Sequence, residues 1–394
     1  MSLPATSALD LDVVRLPMPS LVADYAAERI TTATRILWPT AIMKPGPVVP
    51  SVTSHVQQIH VDGRLLYAKV ELLGMSLVSV IRGRGGDWPT VKAAQVAYLA
   101  RPGTLLEREA IQLQALANAG LSVPAVAGHR PGVLFTEHAR GVTLAELVAQ
   151  NPACTADLLR LVRQELDPAL GEPALTAEVD RAPITERSIT GTFMRKFNGL
   201  SGPTYLNRTP HGEALRAVVF RLRTAYAGTT VLARPVIFGD LKPEHVLFPP
   251  DGGRPVFIDP GLMRGPLCAD LAKLLSRLLL DLVARPPGED DVRRVLEGIA
   301  AYTADVTTPL KAADASLWLR QLMVLWLMDT TNILSTYLTN PPDLPMSPQG
   351  AAVAARAEDV CRMLDLCTTA LTPRRSSRDT WSLCLAHAAQ AMTR

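Results

Sequence analysis

The sequence predicts an α+β protein of two lobes: a small amino-terminal lobe rich in β-strands with one key helix, and a large, mainly helical carboxy-terminal lobe. Two Asp-Gly turn signals, at 62–63 and 251–252, lie between apolar runs that resemble strands. Helical periodicity dominates the chain after residue 140. We therefore expect one lobe over residues 1–139, with an insertion at about 74–103, and the other over 140–394.

The composition excludes several classes of protein. The chain has 394 residues, 48% of them hydrophobic, which suffices for two lobes and a large buried core. Its net charge of +3 is too small for a nucleic-acid-binding protein. Five cysteines without a Cys-x-x-Cys pair are typical of a reducing cytosol and indicate no structural metal. The amino terminus has no basic region before an apolar run, so we expect no signal peptide and a cytoplasmic protein.

The most apolar stretch of the chain is 317–338. It is interrupted by Arg320, Asp329 and Asn332. A membrane-spanning helix needs about 20 nearly uncharged residues. We therefore predict a buried core helix at this position and no membrane partner.

The small lobe is expected to begin with a leader over 1–33 that is first irregular and then helical. Val22, Ala26 and Ile30 share one face of that helix. Strand-like runs then flank the Asp-Gly turn at 62–63, which predicts a hairpin. A further strand is expected before the large lobe begins.

One helix of the small lobe carries a carboxylate in an unusual position. The helix begins with a capping box formed by Thr104 and Glu107, and it ends at Gly120. Glu109 lies on its apolar face, where a carboxylate is costly unless it is paired. Lys69 alternates onto the polar face of the second hairpin strand and is the natural partner. A strand lysine by itself is usually a solvated surface residue, so the pairing depends on Glu109.

The large lobe carries the strongest signal, in Phe238-Gly-Asp-Leu-Lys-Pro-Glu-His-Val-Leu-Phe248 and Val256-Phe-Ile-Asp-Pro-Gly261. Either segment alone would be an ordinary turn. Together, with apolar strands around both, they indicate two aspartates that return to one site. The segments resemble the catalytic loop and the metal-binding motif of the protein-kinase-like superfamily, in a layout most similar to aminoglycoside phosphotransferase-like kinases. The resemblance runs from about residue 50 to about residue 285.

This resemblance implies a transferase that uses ATP and magnesium and has a hydroxyl group as acceptor. Asp240 would take the acceptor proton, and Lys242 would touch the γ-phosphate. Asp259 would hold magnesium. Lys69 would grip the α- and β-phosphates, with Glu109 as its partner.

The resemblance also implies an adenine-binding hinge at 132–141, where backbone groups near Glu137 and Ala139 would bind the base. Asp270 follows Asp259 by 11 residues, which leaves no room for the long activation segment of protein kinases and favours a metabolite kinase. Asp270 itself either braces the catalytic loop or is an acid in the first turn of a helix. Both roles remain open from the sequence.

The sequence departs from the family pattern at two places. The glycine-rich phosphate loop is replaced by Pro50-Ser-Val-Thr-Ser-His55, so hydroxyl groups and backbone amides would cover the phosphates, with Thr53 and Ser54 as contacts. His245 stands where the family has an asparagine that binds magnesium. Magnesium prefers oxygen ligands, and imidazole suits softer metals. His245 therefore binds the metal, with manganese then favoured, or holds the loop by hydrogen bonds, or marks a site that has lost catalysis.

Two segments carry an excess of positive charge. Residues 74–103 have four basic residues against one acidic residue, and residues 181–211 have five against one. An anionic substrate would be attracted there and a polycationic aminoglycoside repelled. The alternative is a solvated surface. The candidate substrate contacts are Arg82, Arg84, Arg195 and Lys196.

The insertion and the basic balance resemble the stand-alone kinase subunits of class V lanthipeptide and thioamitide biosynthesis, a branch of antibiotic biosynthesis. Those subunits phosphorylate Ser or Thr of a precursor peptide, often with an acidic leader, and work with a separate lyase. An antibiotic-inactivating kinase or another small-molecule kinase is the alternative within this fold. A non-catalytic pseudokinase scaffold is the alternative from another class. His245 and the absent glycine loop favour the scaffold, and the complete set of charged residues argues against it.

Overall fold

The computed structural model describes residues 19–51, 53–341, 344–371 and 375–393. The irregular first part of the predicted leader, 1–18, lies outside these residues. The strands are β1 (Met43–Val49), β2 (His55–Val61), β3 (Arg64–Val70), β4 (Val126–Arg130), β5 (Val133–Glu137), β6 (Val142–Thr143), β7 (Val236–Ile237), β8 (Val246–Phe248), β9 (Val256–Phe257) and β10 (Met263–Arg264).

Among the described residues, four helices lie before residue 138 and twelve lie after it. They are α1 (Pro19–Leu37), α2 (Leu77–Ile81), α3 (Trp88–Leu99), α4 (Leu105–Asn118), α5 (Leu144–Gln150), α6 (Thr155–Leu170), α7 (Pro173–Arg181), α8 (Ile189–Lys196), α9 (Gly202–Leu206), α10 (Gly212–Ala227), α11 (Ala269–Ala284), α12 (Glu289–Thr307), α13 (Ala312–Leu338), α14 (Pro348–Ala355), α15 (Ala357–Ala370) and α16 (Ser377–Thr393). Turns of 3₁₀ helix lie at Pro152–Cys154, Thr185–Arg187 and Pro243–His245.

The small lobe contains an antiparallel sheet of five strands in the order β1-β2-β3-β5-β4. The predicted hairpin joins β2 to β3, and both turn residues, Asp62 and Gly63, have positive φ angles of 49° and 82°. A two-residue type I′ turn requires this backbone conformation. On its other side β3 pairs with β5, so that Lys69 lies opposite Leu134. The lysine strand is thus next to the strand that leads into the hinge.

Helices cover the sheet on both faces. Ala26 and Ile30 of α1 pack on one face, which confirms the helical face predicted for the leader. On the other face, Leu113 of α4 packs against Leu134. Lys69 points toward α4, because its neighbours along β3 point toward α1.

The insertion at 74–103 is folded into α2 and α3. The carboxylate of Asp87 accepts a 2.9 Å hydrogen bond from the backbone N–H of Thr90, and Pro89 occupies the first turn of α3. Val80 and Val91 belong to an apolar cluster shared with α1. The insertion therefore packs around a separate apolar cluster, and this cluster joins it to α1 of the small lobe.

The chain crosses between the lobes at 138–141, because β5 belongs to the five-stranded sheet and β6 pairs with β8 of the large lobe. β8 also pairs with β9, and β7 pairs with β10. These two small sheets carry the predicted functional segments. They lie beside α11, which packs along α13 in the centre of the large lobe.

α13 is 27 residues long and buried along most of its length, with Trp326 fully enclosed. It contacts α8, α10, α14, α15 and α16. This confirms the buried core helix predicted at 317–338. Across the described ranges, the structure contains no helix with the length and apolar character needed to cross a membrane.

Two of the predicted substrate contacts are bound inside the protein. Arg82, which directly follows α2, donates from Nη2 to the hydroxyl of Thr339 at 2.8 Å and to the backbone oxygen of Thr336 at 3.2 Å. Lys196 is buried and donates to the backbone oxygen of Asn332 at 2.5 Å. The last carbonyl groups of a helix lack intrahelical partners and favour cations. Arg82 and Lys196 therefore attach the insertion and α8 to the end of α13, and neither is available as a surface contact for substrate.

Replacement of Arg82 tests this attachment. Arg82→Ala should lower the free energy of unfolding by roughly 1–3 kcal/mol, because partly buried oxygen atoms at the end of α13 lose their donor. The side chain of Arg84 is exposed and makes no hydrogen bond with the described residues, and its backbone bond to Ser79 does not depend on the side chain. Arg84→Ala should therefore change the free energy of unfolding by less than about 0.5 kcal/mol. Urea denaturation followed by circular dichroism measures both values. Equal stability of the two variants would contradict an anchoring role for Arg82.

Candidate active site

The segment after β7 forms a tight loop against the segment after β9. Gly239 has a φ of 77°, and a Cβ atom there would lie 2.0 Å from the backbone oxygen of Gly261. The backbone N–H of Gly261 donates to the oxygen of Phe238 at 2.9 Å. Glycine is required at 239 both by its backbone conformation and by this close approach. The two motifs found in the sequence are therefore adjacent in space.

Asp270, in the first turn of α11, holds this loop. Its two carboxylate oxygens accept hydrogen bonds of 2.7 Å from the backbone N–H groups of Phe238 and Gly239. Burial raises the pKa of Asp270 to about 6, although these two donors oppose the change. Of the two roles that the sequence left open, the geometry supports the bracing role.

Asp240 is buried next to Gly239 and has a cation on each carboxylate oxygen. The Nζ of Lys242 lies 3.1 Å from Oδ2, and the Nζ of Lys273 lies 3.0 Å from Oδ1. Burial alone would raise the pKa of Asp240, but the charges of Lys242 and Lys273 outweigh it and hold the pKa well below its usual range. The carboxylate is therefore ionised, and both of its oxygens have fixed directions.

Lys273 is a residue of the site that the sequence analysis missed. Its ammonium group also donates to the backbone oxygens of Arg187, at 2.7 Å, and of Gly239, at 2.9 Å. It follows Asp270 by three residues and so shares a face of α11 with it. That spacing is the signal that identifies it, because a lysine on a buried helix face needs oxygen partners.

Asp259 and His245 face each other across the site. Asp259 has a φ of 56°, a left-handed conformation that is uncommon outside glycine. Nδ1 of His245 lies 3.0 Å from the backbone oxygen of Asp240, and because a carbonyl only accepts, Nδ1 carries the hydrogen. Burial and then the charge of Lys242 lower the pKa of His245, so the ring is neutral. Its Nε2 therefore presents a lone pair, 3.7 Å from Oδ2 of Asp259.

This pair of groups fits a divalent cation that is also held by phosphates and water. The described residues contain no cluster of three or more His, Cys, Asp or Glu side chains that would hold a metal by themselves. Magnesium in nucleotide-dependent sites is commonly bound by one or two carboxylates together with substrate phosphates. Asp259 suits that arrangement, and the imidazole of His245 also suits manganese.

Lys69 and Glu109 form the ion pair that the sequence predicts, with Nζ 2.6 Å from Oε1. Lys69 also contacts the carboxylate of Asp259. Glu109 is completely buried, and its second oxygen accepts a 2.5 Å hydrogen bond from Arg187. Burial alone would lower the pKa of Lys69, but the carboxylates of Asp259 and Glu109 outweigh it and raise the pKa. The lysine is therefore charged between two carboxylates.

Arg187 is the second residue of the site that the sequence analysis missed. It lies on the 3₁₀ turn Thr185–Arg187, and its Nη1 donates to the backbone oxygens of Asp259 and Pro260 at 2.9 and 2.7 Å. Its side chain is 13% exposed, although it belongs to a segment predicted as a basic surface. Such a short turn has no periodicity that would reveal burial, so no pattern in the sequence identifies this residue.

A cleft of about 900 Å³ runs along these residues. One end is lined by Ser51 and by four of the residues proposed for the nucleotide, Thr53, Lys69, Glu137 and Ala139. Ser54, also proposed, is not among the lining residues. The wall between the two ends includes Lys242, His245 and Asp259. The volume lies at the upper end of the range typical of small-molecule sites.

The far end of the cleft is the part that α11, the end of α13 and the segment before α14 form. Its lining residues are not those proposed as substrate contacts from the sequence. These residues include Glu244, Arg277, Asp281, Arg285, Tyr337, Asn340, Met346 and Gln349. Arg84 and Arg195 are exposed and line no part of this cleft. Burial and then the nearby charge of Arg84 lower the pKa of Arg195, so the two cations are neighbours on the surface.

Solved structures similar to this chain are kinases. An amicoumacin kinase in complex with AMP-PNP, Ca²⁺ and Ami has a TM-score of 0.50 and 13% identity, over 88% of this chain and 96% of that chain. Ethanolamine kinase of Plasmodium vivax has a TM-score of 0.49 and 11% identity, over 85% of this chain and 92% of that chain. A choline/ethanolamine kinase family protein of Mesorhizobium loti has a TM-score of 0.45 and 15% identity, over 93% of this chain and 99% of that chain.

No family model and no curated protein sequence matches the chain. The similarity to the amicoumacin kinase, at this low identity, establishes the fold alone. The chain has the bilobal, α+β, protein-kinase-like fold that the sequence predicts.

The buried carboxylate of Glu109 gives a test of the site that does not depend on activity. Glu109→Gln should lower the free energy of unfolding by about 3–5 kcal/mol, because Lys69 and Arg187 lose the charge that compensates them. Glu107→Gln in the same helix keeps an acceptor for the capping box and should cost less than about 1 kcal/mol. Chemical denaturation measures both. A loss for Glu109→Gln as small as that of the control would mean that the two cations are compensated elsewhere.

Proposed function

We propose that this chain is an ATP-dependent phosphotransferase that moves the γ-phosphate of ATP onto a hydroxyl group of a small molecule. The observation that carries the proposal is that Lys69, Lys242 and Asp259 line one cleft of about 900 Å³, with the carboxylate of Asp240 directly behind them, 3.1 Å from the Nζ of Lys242. The kinase fold supports the proposal. The similar amicoumacin kinase was solved with AMP-PNP and Ca²⁺, which supports ATP and a divalent cation for this chain.

The small lobe and the hinge would bind the nucleotide. Lys69, held by Glu109, would contact the α- and β-phosphates. Backbone groups near Glu137 and Ala139 would bind adenine. The hydroxyl groups of Ser51 and Thr53 line the same end of the cleft, where a glycine-rich loop is absent from the sequence.

The large lobe would carry out the transfer. The acceptor oxygen forms a bond to the γ-phosphorus, the bond from that phosphorus to the bridging oxygen breaks, and ADP leaves with the electron pair. The hydroxyl proton passes to Asp240, and Lys242 offsets the charge on the phosphoryl oxygens. The low pKa of Asp240 suits a loose transition state, in which the carboxylate orients the hydroxyl group and receives the proton late.

Asp259 and Nε2 of His245 would hold the divalent cation together with the phosphates. The cation supplies charge neutralisation for the β- and γ-phosphates when it is bound. Magnesium is the expected ion, with manganese as the alternative because of the imidazole. In this proposal His245 combines two of the roles considered for it, since Nδ1 holds the loop while Nε2 faces the carboxylate.

Phosphorylation of Ser or Thr in a biosynthetic precursor peptide, ahead of a separate lyase, is a second candidate. The observation that favours it is the pair of exposed, neighbouring cations Arg84 and Arg195, one from each lobe and both outside the cleft. Such a pair would suit an acidic leader that docks away from the reacting hydroxyl group. Antibiotic inactivation is one form of the small-molecule proposal.

A pseudokinase scaffold is disfavoured by the state of the charged groups. A scaffold has no need for an ionised Asp240 with two cations on its oxygens, or for a fully buried Lys69–Glu109 pair. Buried charges of this kind are costly and are retained most often at functional sites.

Asp240→Asn tests the role of the base. The variant should bind AMP-PNP with a nearly unchanged dissociation constant and should lower kcat by roughly 10²–10⁴-fold, because the amide cannot accept the proton. ADP formation with magnesium measures turnover, with water as acceptor until the natural acceptor is identified. Asp251→Asn, in the exposed turn between β8 and β9, is the matched control and should behave as wild type. ADP formation at the wild-type rate by Asp240→Asn would remove Asp240 from the mechanism.

His245→Asn tests coordination by the imidazole. If Nε2 binds the cation, the amide oxygen should shift the ratio of kcat/KM with magnesium to that with manganese toward magnesium, by on the order of ten-fold. His60→Asn, at an exposed position of β2, is the control and should leave the ratio unchanged. An unchanged ratio in His245→Asn would restrict this residue to its contact with the loop.

A further inference from the structure

We propose that Arg277 forms a carboxylate-binding subsite in the far end of the cleft, so that the acceptor is a hydroxy acid. This inference rests on the proposed function, and it names a class of substrate that the function leaves open. Arg277 is not one of the four basic residues that the basic segments of the sequence suggested as substrate contacts.

Arg277 belongs to a row of charged residues on α11. Asp270, Lys273, Arg277 and Asp281 follow each other at spacings of three, four and four residues, so they lie along one face of the helix. The first two act on the catalytic loop, as described above. Arg277 comes next and lines the cleft. The row therefore continues from the reacting groups into the far end of the cleft.

The guanidinium group of Arg277 has unused donors. Its side chain is 15% exposed, and Nε lies 3.4 Å from Oδ2 of Asp329, which is 3% exposed. This long contact and a side-chain contact with Tyr337 are the hydrogen-bond partners that the described residues give the group. Nη1 and Nη2 have no carboxylate or backbone acceptor among the described residues, and neither is an enclosed atom, so both are reached from the cleft. Water or a ligand in the cleft supplies the remaining oxygen atoms.

The geometry favours a carboxylate as that ligand. Asp329 contacts Nε alone, so the edge formed by Nη1 and Nη2 remains available, and two parallel N–H groups match the two oxygens of a carboxylate. Tyr337 also lines this end of the cleft, and its pKa is raised by burial and lowered in part by the charge of Arg277, which indicates that the two groups are close. A phenol beside the guanidinium offers a further donor for the same ligand.

The neighbouring charges are compatible with an anion. Asp281, the next residue in the row, is already bonded to Arg285 at 2.6 Å and to Gln349 at 3.2 Å. Glu244 is exposed, lines the cleft and forms no ion pair with Arg277 among the described residues, but its charge acts on the guanidinium group and therefore competes with an anionic ligand. An anionic ligand would displace that competitor.

The position of Arg277 also limits the size of the ligand. Lys273, which holds Asp240, and Arg277 are four residues apart, which corresponds to about 6 Å along a helix. A hydroxyl group at Asp240 and a carboxylate at Arg277 would therefore be separated by a short carbon chain. 4-Hydroxybutyrate has that length and carries both groups, and 4-hydroxybutyramide is its uncharged match.

The test is a titration of 4-hydroxybutyrate, followed by NMR or calorimetry in the millimolar range, with protein loaded with AMP-PNP and magnesium so that the phosphate contacts are occupied. Wild type should bind 4-hydroxybutyrate more tightly than the amide, and Arg277→Gln should weaken binding of the acid by about ten-fold or more, which corresponds to about 1.4 kcal/mol. The dissociation constant of AMP-PNP should not change. Glu244→Gln should strengthen binding of the acid, because it removes the competitor.

Arg285→Gln is the matched control, because it removes the same charge from the same cleft at an exposed residue that is paired with Asp281. It should weaken binding of the acid by less than about three-fold, as expected for a screened surface charge. If Arg277→Gln fails to fold because Asp329 is left unpaired, the double variant Arg277→Gln with Asp329→Asn removes both charges and should show the same loss.

Three results would overturn the subsite: no binding of the acid by wild type, equal binding by wild type and the Arg277 variants, or an equal loss in Arg285→Gln. Failure of the proposed function has a separate signature. It would appear as a wild-type protein that does not bind AMP-PNP, and the same titration on nucleotide-free protein would then still decide whether Arg277 binds the carboxylate.

Discussion

Glu109 is a carboxylate with no exposure to solvent, and the arrangement of both lobes around the cleft depends on how its charge is compensated. Lys69 of the small sheet binds one oxygen and Arg187 of the large lobe binds the other. Arg187 also binds the backbone oxygens of Asp259 and Pro260, so the same side chain sets the position of Asp259. An unpaired buried charge is strongly unfavourable. Separation of the lobes at this point would therefore break a network that connects Lys69 of the small lobe to Asp259 of the large lobe.

α11 gives the large lobe a comparable organisation. Asp270 fixes the backbone at Phe238 and Gly239, and one turn later Lys273 fixes the carboxylate of Asp240. Because both residues lie on one rigid helix, the backbone and the side chain of this loop are held in a fixed relation to each other. Lys273 also binds the backbone oxygen of Arg187. The α11 contacts and the Glu109 network are therefore parts of one connected structure.

His245 and the insertion at 74–103 have different physical consequences. His245 keeps a hydrogen bond to the loop through Nδ1 and directs a neutral nitrogen at Asp259, and this nitrogen is softer than the asparagine oxygen of the kinase pattern. The insertion, in contrast, makes its contacts away from Asp240 and Asp259. Through Arg82 it is bonded to the end of α13, and through Leu77 it is bonded to the backbone oxygen of Thr53. The loop that replaces the glycine-rich segment is thereby tied to a folded support.

The sequence by itself determined the features that depend on local pattern. Alternation along β3 and the apolar face of α4 identified Lys69 and Glu109 as partners, and the Asp-Gly hairpin, the capped helix and the two-lobed order of elements follow from short-range preferences. Only the tertiary structure decided which basic residues of the segments 74–103 and 181–211 are buried. Arg187 meets Glu109 across 78 residues, and Arg82 meets Thr339 across 257, so neither contact has a periodicity that the chain could display. A basic residue looks the same in sequence whether it faces water or the end of a helix, because its burial depends on elements that pack against it from elsewhere in the fold.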